Sequence, residues 1–158
     1  QRLPWLACGR FTPPVWWLAG VTAVGSAAAL LGWFLALRPD LTHFLGNIPR
    51  VSPALLVVAG LGFSLLNAAV EEAVFRGVVM EGLSGLLAPG WLVVPVQAAA
   101  FGSIHFIGVP NGWLGVIMAT LYGVMLGLIR RCSQGMLAPF ATHVVADVVI
   151  YAILACWV

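Results

Sequence analysis

The sequence contains no lysine, and its charged residues make up only 8% of 158 positions: seven arginines against five acids, for a formal charge of +2. A soluble domain carries about 25% charged residues, so a soluble fold of this composition would have little with which to cover its surface. Lipid tolerates an apolar exterior, and 62% of the residues are hydrophobic. Seven scattered arginines form no basic stripe, which excludes a nucleic-acid surface.

Patterned cysteine is also missing. Cys8, Cys132 and Cys156 are far apart and unpaired by spacing, which argues against a disulfide framework or a thiolate metal site. No HExxH pair, internal repeat or low-complexity stretch is present, and no inverted repeat of the kind that marks secondary transporters is visible. The first apolar segment is too long for a cleavable signal peptide and is not followed by a small-residue cleavage site.

Five long apolar segments are present, at about 15–37, 53–81, 91–109, 112–129 and 136–158. Each is long enough to cross the hydrocarbon core as a helix, at about 20 residues per crossing. The expected fold is an all-α integral membrane protein, a polytopic bundle of about five transmembrane helices forming one domain over 1–158. Trp16, Trp17, Trp91, Trp113 and Trp157 lie near segment ends, as an interfacial belt requires. With five spans, one side receives Arg2, Arg10, Arg76, Arg130 and Arg131, and the other Arg38 and Arg50. The positive-inside rule then places the N-terminus in the cytoplasm. Gly123 and Gly127 have the small-xxx-small spacing that lets helices approach closely, here expected within the monomer.

Six ionisable groups lie in or against these apolar segments: Glu71, Glu72, Arg76, His105, His143 and Asp147. A charge at mid-bilayer costs about 2.5–3.5 kcal/mol on insertion scales, so such groups persist where they pair or line a wet cavity, and function is their default reading. Glu72 and Arg76 are four apart and share a helical face, as do His143 and Asp147. Asn67 extends the Glu71 stripe one turn back. Glu71, His105 and His143 reach a common depth only if the second helix continues past Glu72, to about Glu81; Glu71 then lies about 15 Å from that end. His43 reads as a solvated loop residue, Glu81 as a helix end, and Tyr122 and Tyr151 as packing groups.

Peptide hydrolysis needs a base for water, a donor for the developing oxyanion, and exclusion of bulk solvent. These residues can supply all three. Glu71, His105 and His143 could alternatively ligate a divalent metal such as zinc, with water at the open position.

The motifs EEAVFRG (71–77), FGSIH (101–105) and HVVAD (143–147) resemble the EExxxR, FxxxH and Hxxx(N/D) signatures of the CPBP intramembrane proteases, also called the ABI or type II CAAX prenyl endopeptidase-like family. The resemblance implies that Glu71 and His105 hold and activate the attacking water. It implies that His143 and Asp147 stabilise the oxyanion, and that Glu72 and Arg76 support the site. The prenyl-protease branch has Asn where this chain has Asp147, so Asp147 is alternatively a carboxylate that orients His143. The implied activity is cleavage of a membrane-associated protein or peptide, with lipids as surroundings, in a bacterial or archaeal cell membrane; no prenyl-specific feature is visible. Two other readings stay open: a proton or ion pathway, and a non-catalytic scaffold or immunity protein. Oligomeric state is not legible.

Overall fold

A computed structural model describes residues 7–46 and 48–156 of the chain. Arg2 and Trp157 lie outside the described residues. The elements are α1 (Pro13–Leu37), a short α2 (Thr42–Leu45), α3 (Pro53–Glu72), α4 (Met80–Leu86), α5 (Val93–Ile104), α6 (Gly112–Ser133) and α7 (Leu137–Ala155). A π-helical stretch, Ala73–Val79, joins α3 to α4, and 3-10 turns at Gly90–Leu92 and His105–Ile107 flank α5. Five helical stretches are long and apolar enough to cross a membrane: Pro13–Leu37, Pro53–Leu86, Gly90–Ile107, Gly112–Ser133 and Leu137–Ala155. The protein is a multi-pass, all-helical integral membrane protein.

The second span is the longest, at 34 residues, or about 51 Å at 1.5 Å per residue. It runs through Glu72 and Glu81 to Leu86 without a break, with Pro53 in its first turn, where the missing N–H does no harm. Halfway along it the backbone widens into the π-helical turn, a rare form that concentrates at functional sites.

α7 is the central element. It packs against α1 on one side and α3 on another, while α5 and α6 form an antiparallel pair. Trp33, Leu30, Leu41, Ile48 and Ile153 close the core at one end of α7, and Val15, Leu126, Ile129 and Ala138 at the other. The remaining helix faces carry exposed Leu, Val, Ile and Phe, as a lipid-facing surface should. Trp16, Trp17, Trp91 and Trp113 are exposed near span ends.

The connections are tied down locally. Asp40 accepts hydrogen bonds from the Thr42 hydroxyl and backbone N–H, which anchor α2 and hold the Asp40 carboxyl below its usual range. The turn between α6 and α7 is closed by the segment before α1: Met136 and Leu137 donate to the Ala7 and Cys8 carbonyls, and Arg10 donates to that of Ser133. Arg10, Cys8 and Cys132 thus share one end of the bundle, and Cys156 lies at the other. Arg76 is buried within the second span, so it leaves the arginine count; Arg10, Arg130 and Arg131 face Arg38 and Arg50 across the bundle.

The α5–α6 contact depends on small residues. A Cβ on Gly123 would lie 3.1–3.3 Å from Phe101 and Ala98, and one on Gly127 2.7 Å from the Gln97 amide. This spacing therefore serves packing inside the chain. A Cβ on Gly102 of α5 would overlap the Thr120 hydroxyl of α6. Gly102→Val is expected to destabilise the bundle by about 3 kcal/mol through overpacking, whereas Gly20→Ala, with open space beside it, should be near neutral. Thermal unfolding in detergent checks both; an unchanged midpoint for Gly102→Val would contradict the close approach.

Candidate active site

The three sequence motifs meet where α3, its π-helical extension, the end of α5 and the first half of α7 come together. Glu72, at the last α-helical position before the π-helical turn, is 1% exposed. Its Oε1 accepts a hydrogen bond from Arg76 Nη1 at 2.9 Å and another from His143 Nδ1 at 2.8 Å. Both donors are themselves buried, at 1% and 3% exposure. Arg76 also donates from Nη2 to the Gly123 carbonyl on α6, and its guanidinium lies 4.3 Å from the centre of the Phe101 ring. One carboxylate and one guanidinium thus tie the second span to α5, α6 and α7.

This arrangement adds a second carboxylate to His143. Glu72, from another helix, holds the ring at Nδ1. Four-residue spacing places Asp147 beside the ring, and the structure has that pair, with Asp147 Oδ1 folded back over the far end of the ring, 3.8 Å from Nε2. Glu71 reaches the same nitrogen from α3, its Oε2 3.5 Å from Nε2. Because a carboxylate can only accept, His143 Nδ1 carries a proton toward Glu72, and Nε2 faces two further carboxylates.

Glu71 differs from its neighbour. Its side chain keeps 19% of its surface exposed. Oε1 accepts from Asn67 Nδ2 at 3.3 Å, while Oε2 is buried and accepts no hydrogen bond. The same Asn67 nitrogen lies 3.2 Å from Asp147 Oδ2.

His105 does not sit inside a helix. α5 ends at Ile104, and His105 opens the 3-10 turn that leads to Gly108 and Pro110. Its Nδ1 donates to the Phe101 carbonyl at 2.8 Å, which leaves Nε2 as the ring's remaining nitrogen. The Phe101 ring contacts both imidazoles, at 4.5 Å from His105 and 5.8 Å from His143. Among the described residues no hydrogen bond or ion pair joins His105 to Glu71. His143 is the histidine that meets Glu71.

A cavity of about 380 Å³ opens beside these groups. His105, His143 and Asp147 form its polar wall, and Leu30, Met118 and Met125 are among the apolar residues opposite. The helices around it are α1, α5, α6 and α7. The motif-bearing helices alone would have placed it between the second, third and fifth spans, but among the described residues none of α3 lines it, Glu71 included. His143 and Asp147 line the cavity, and His143 also meets Glu71 while Asp147 shares the Asn67 amide with it.

Glu71, His105 and His143, the metal set that their residue types allow, are not gathered around one point in this structure. Among the described residues no three His, Cys, Asp or Glu side chains converge closely enough to hold an ion. The Nδ1 bonds of His143 to Glu72 and of His105 to the Phe101 carbonyl leave each Nε2 free, so they do not by themselves decide the question.

Two polar groups, one buried and one half-buried, had a weaker sequence signal. Gln97, fully buried on α5, donates to the same Gly123 carbonyl as Arg76 at 2.8 Å; a lone amide inside VVPVQAAA is the trace it leaves in the sequence. Tyr122 of α6, expected only to pack, lines the cavity, donates to the Thr142 carbonyl at 3.0 Å, and sets its ring edge-on to His143. His43 is exposed on α2, as a solvated residue should be.

Removing one partner from a buried ion pair strands the other charge. Arg76→Ala is therefore expected to lower stability by about 3–5 kcal/mol, against almost nothing for exposed Arg131→Ala. Thermal unfolding of the two variants in detergent checks this; equal midpoints would show that Glu72 does not depend on Arg76.

Comparisons with known proteins bear on these motifs. No curated protein and no solved structure matches the chain. A protein-family model described as type II CAAX prenyl endopeptidase Rce1-like matches residues 53–149, more than half of the chain, from the start of α3 to within α7. That stretch contains EEAVFRG, FGSIH and HVVAD, the Glu72–Arg76–His143 cluster and three walls of the cavity. The chain belongs to the type II CAAX prenyl endopeptidase Rce1-like family, a family of intramembrane proteases.

Proposed function

We propose that this protein is an intramembrane endopeptidase that hydrolyses a peptide bond of a membrane-associated protein or peptide, with Glu71 as the base that deprotonates the attacking water. The observation that carries this reading is the position of Glu71 at the edge of the cluster: its side chain keeps 19% of its surface exposed and its Oε2, free of hydrogen bonds, faces His143 Nε2 at 3.5 Å. The adjacent Glu72 also has an unbonded, buried Oε2, but it is 1% exposed and its Oε1 is committed to Arg76 and His143. A carboxylate with a free oxygen at the edge of the core is where a water proton can go.

The other side chains divide the remaining work. His143, held by Glu72 at Nδ1 and acting as an imidazolium with a second proton on Nε2, donates from Nε2 to the oxygen that becomes negative when water adds to the carbonyl. Glu71 then returns its proton to the leaving amine, which completes hydrolysis. Asp147 keeps His143 Nε2 in place from the other side. His105, on the cavity wall, holds the attacking water or the carbonyl through Nε2. The apolar remainder of the cavity accepts the lipid-soluble part of the substrate, and a prenylated CAAX peptide is the first class to test. Membrane depth excludes bulk water from the reaction. No step needs a metal ion.

The test is cleavage of fluorogenic peptides, prenylated and unprenylated, by purified protein in detergent. General acid–base catalysis contributes about 10²–10⁴-fold, so Glu71→Gln should lose at least 100-fold in kcat. His105→Ala should lose activity as well, and a chelator should have no effect on the wild type. Undiminished cleavage by Glu71→Gln would overturn the assignment; loss on chelation that zinc restores would replace it with metal catalysis.

The arginine bias supports an N-terminus on the cytoplasmic side of the membrane. Cys8 and Cys132 are exposed at one end of the bundle and Cys156 at the other. A membrane-impermeant maleimide should label Cys156 in intact cells, and Cys8 and Cys132 only after permeabilisation. The reverse pattern would invert the orientation.

A further inference from the structure

We propose that Asn67 is a positioning residue for the cleavage reaction: one amide nitrogen grips Glu71 and Asp147 together and turns the other oxygen of each toward His143. The inference rests on Glu71 being the base, as argued above.

The geometry is a closed ring of four side chains from two helices. Asn67 lies one turn before Glu71 on the same face of α3. Its Nδ2 is 3.3 Å from Glu71 Oε1 and 3.2 Å from Asp147 Oδ2. The opposite oxygens, Glu71 Oε2 and Asp147 Oδ1, lie 3.5 and 3.8 Å from His143 Nε2. The amide orientation follows from chemistry: both neighbours are carboxylates, which accept, so the nitrogen and not the oxygen must face them. Its two N–H groups match the two acceptors.

Such a grip matters because the terminal torsion of Glu and Asp is broad. A carboxylate with neither oxygen bonded can turn away from its target. Two carboxylates converging on one imidazole also repel each other, and Asn67 places donors between them. Glu71 Oε2 is left without a hydrogen-bond partner because the donor available on α3 has been taken by Oε1. Asn67 is half-buried and contacts the reacting centre only through these carboxylates. A plain structural tie between α3 and α7 would use the same atoms but would not govern the rate of the chemical step.

The experiment compares Asn67→Leu, which keeps the size and removes the amide, with Asn67→Gln, which keeps the amide on a longer stem. Both are purified in detergent, and turnover is counted per folded molecule by size exclusion and thermal unfolding. Misorienting a reacting group costs about 10- to 100-fold, so Asn67→Leu should lose that much kcat with KM unchanged, and Asn67→Gln should recover part of it. Should Asn67→Leu fail to fold, Asn67→Ser carries the same expectation. Wild-type kcat per folded molecule in the amide-free variant, with only the unfolding midpoint lowered, would overturn the inference. Glu71→Gln is run beside them: if it cleaves normally, the base assignment fails and this inference with it. If it is inactive while Asn67→Leu is fully active, this inference alone fails.

Discussion

The buried carboxylate of Glu72 is the point on which the rest of the site depends. A charge placed inside an apolar bundle must be compensated by groups that are themselves out of water. Here the compensation comes from Arg76 one turn on and from His143 on the central helix. Because Arg76 also reaches the α6 backbone and lies over Phe101, the same charge fixes how four spans meet. His143 acquires its ring orientation as a consequence. The most buried ionic contact among the described residues therefore sets the direction of the central imidazole, and hence the geometry that Glu71 and Asp147 encounter.

The two adjacent glutamates illustrate how environment separates identical side chains. Neighbours on a helix point about 100° apart, so Glu72 enters the core while Glu71 stays at its edge. The first has one oxygen held by two buried donors and is closed off from its surroundings. The second makes only the Asn67 contact and keeps 19% of its side-chain surface exposed, although each glutamate has one buried oxygen without a partner. The π-helical turn that begins just after Glu72 carries Arg76 and Phe75 into the core, where Phe75 meets Phe101 edge-on at 5.1 Å. A widened turn at this position fits the tendency of such turns to occur where function constrains the backbone.

Around this centre the bundle is held by close approach of small residues as much as by apolar bulk. Lipid offers helices no hydrophobic gain for pairing, so contact area and internal hydrogen bonds must do more. Gly102, Gly123 and Gly127 let α5 and α6 come together, and that approach brings the Gly123 carbonyl within reach of both Arg76 and Gln97. It also leaves, on the side toward α1, the cavity whose wall His105, His143 and Asp147 share.

Composition and apolar run length were enough to read the membrane, the five spans and the all-helical class, because a bilayer imposes length and polarity on each segment independently of its neighbours. Residue spacing identified the polar set, and three motifs in order pointed to the family. The extension of the second helix past Glu72 followed from requiring a common depth. Which atom meets which did not follow. Four-residue spacing did pair His143 with Asp147 and Glu72 with Arg76, but it did not announce that Glu72 also holds His143 Nδ1 or that Glu71 meets His143. Arg76, paired with Glu72 and also entered in the arginine count, leaves that count because it is buried. Tyr122 and α1 reach the cavity with no motif to announce them. These outcomes share one cause. Periodicity reports which residues share a face of one helix, whereas side-chain partners in a bundle are chosen across helices, by the rotation and depth at which neighbouring spans pack.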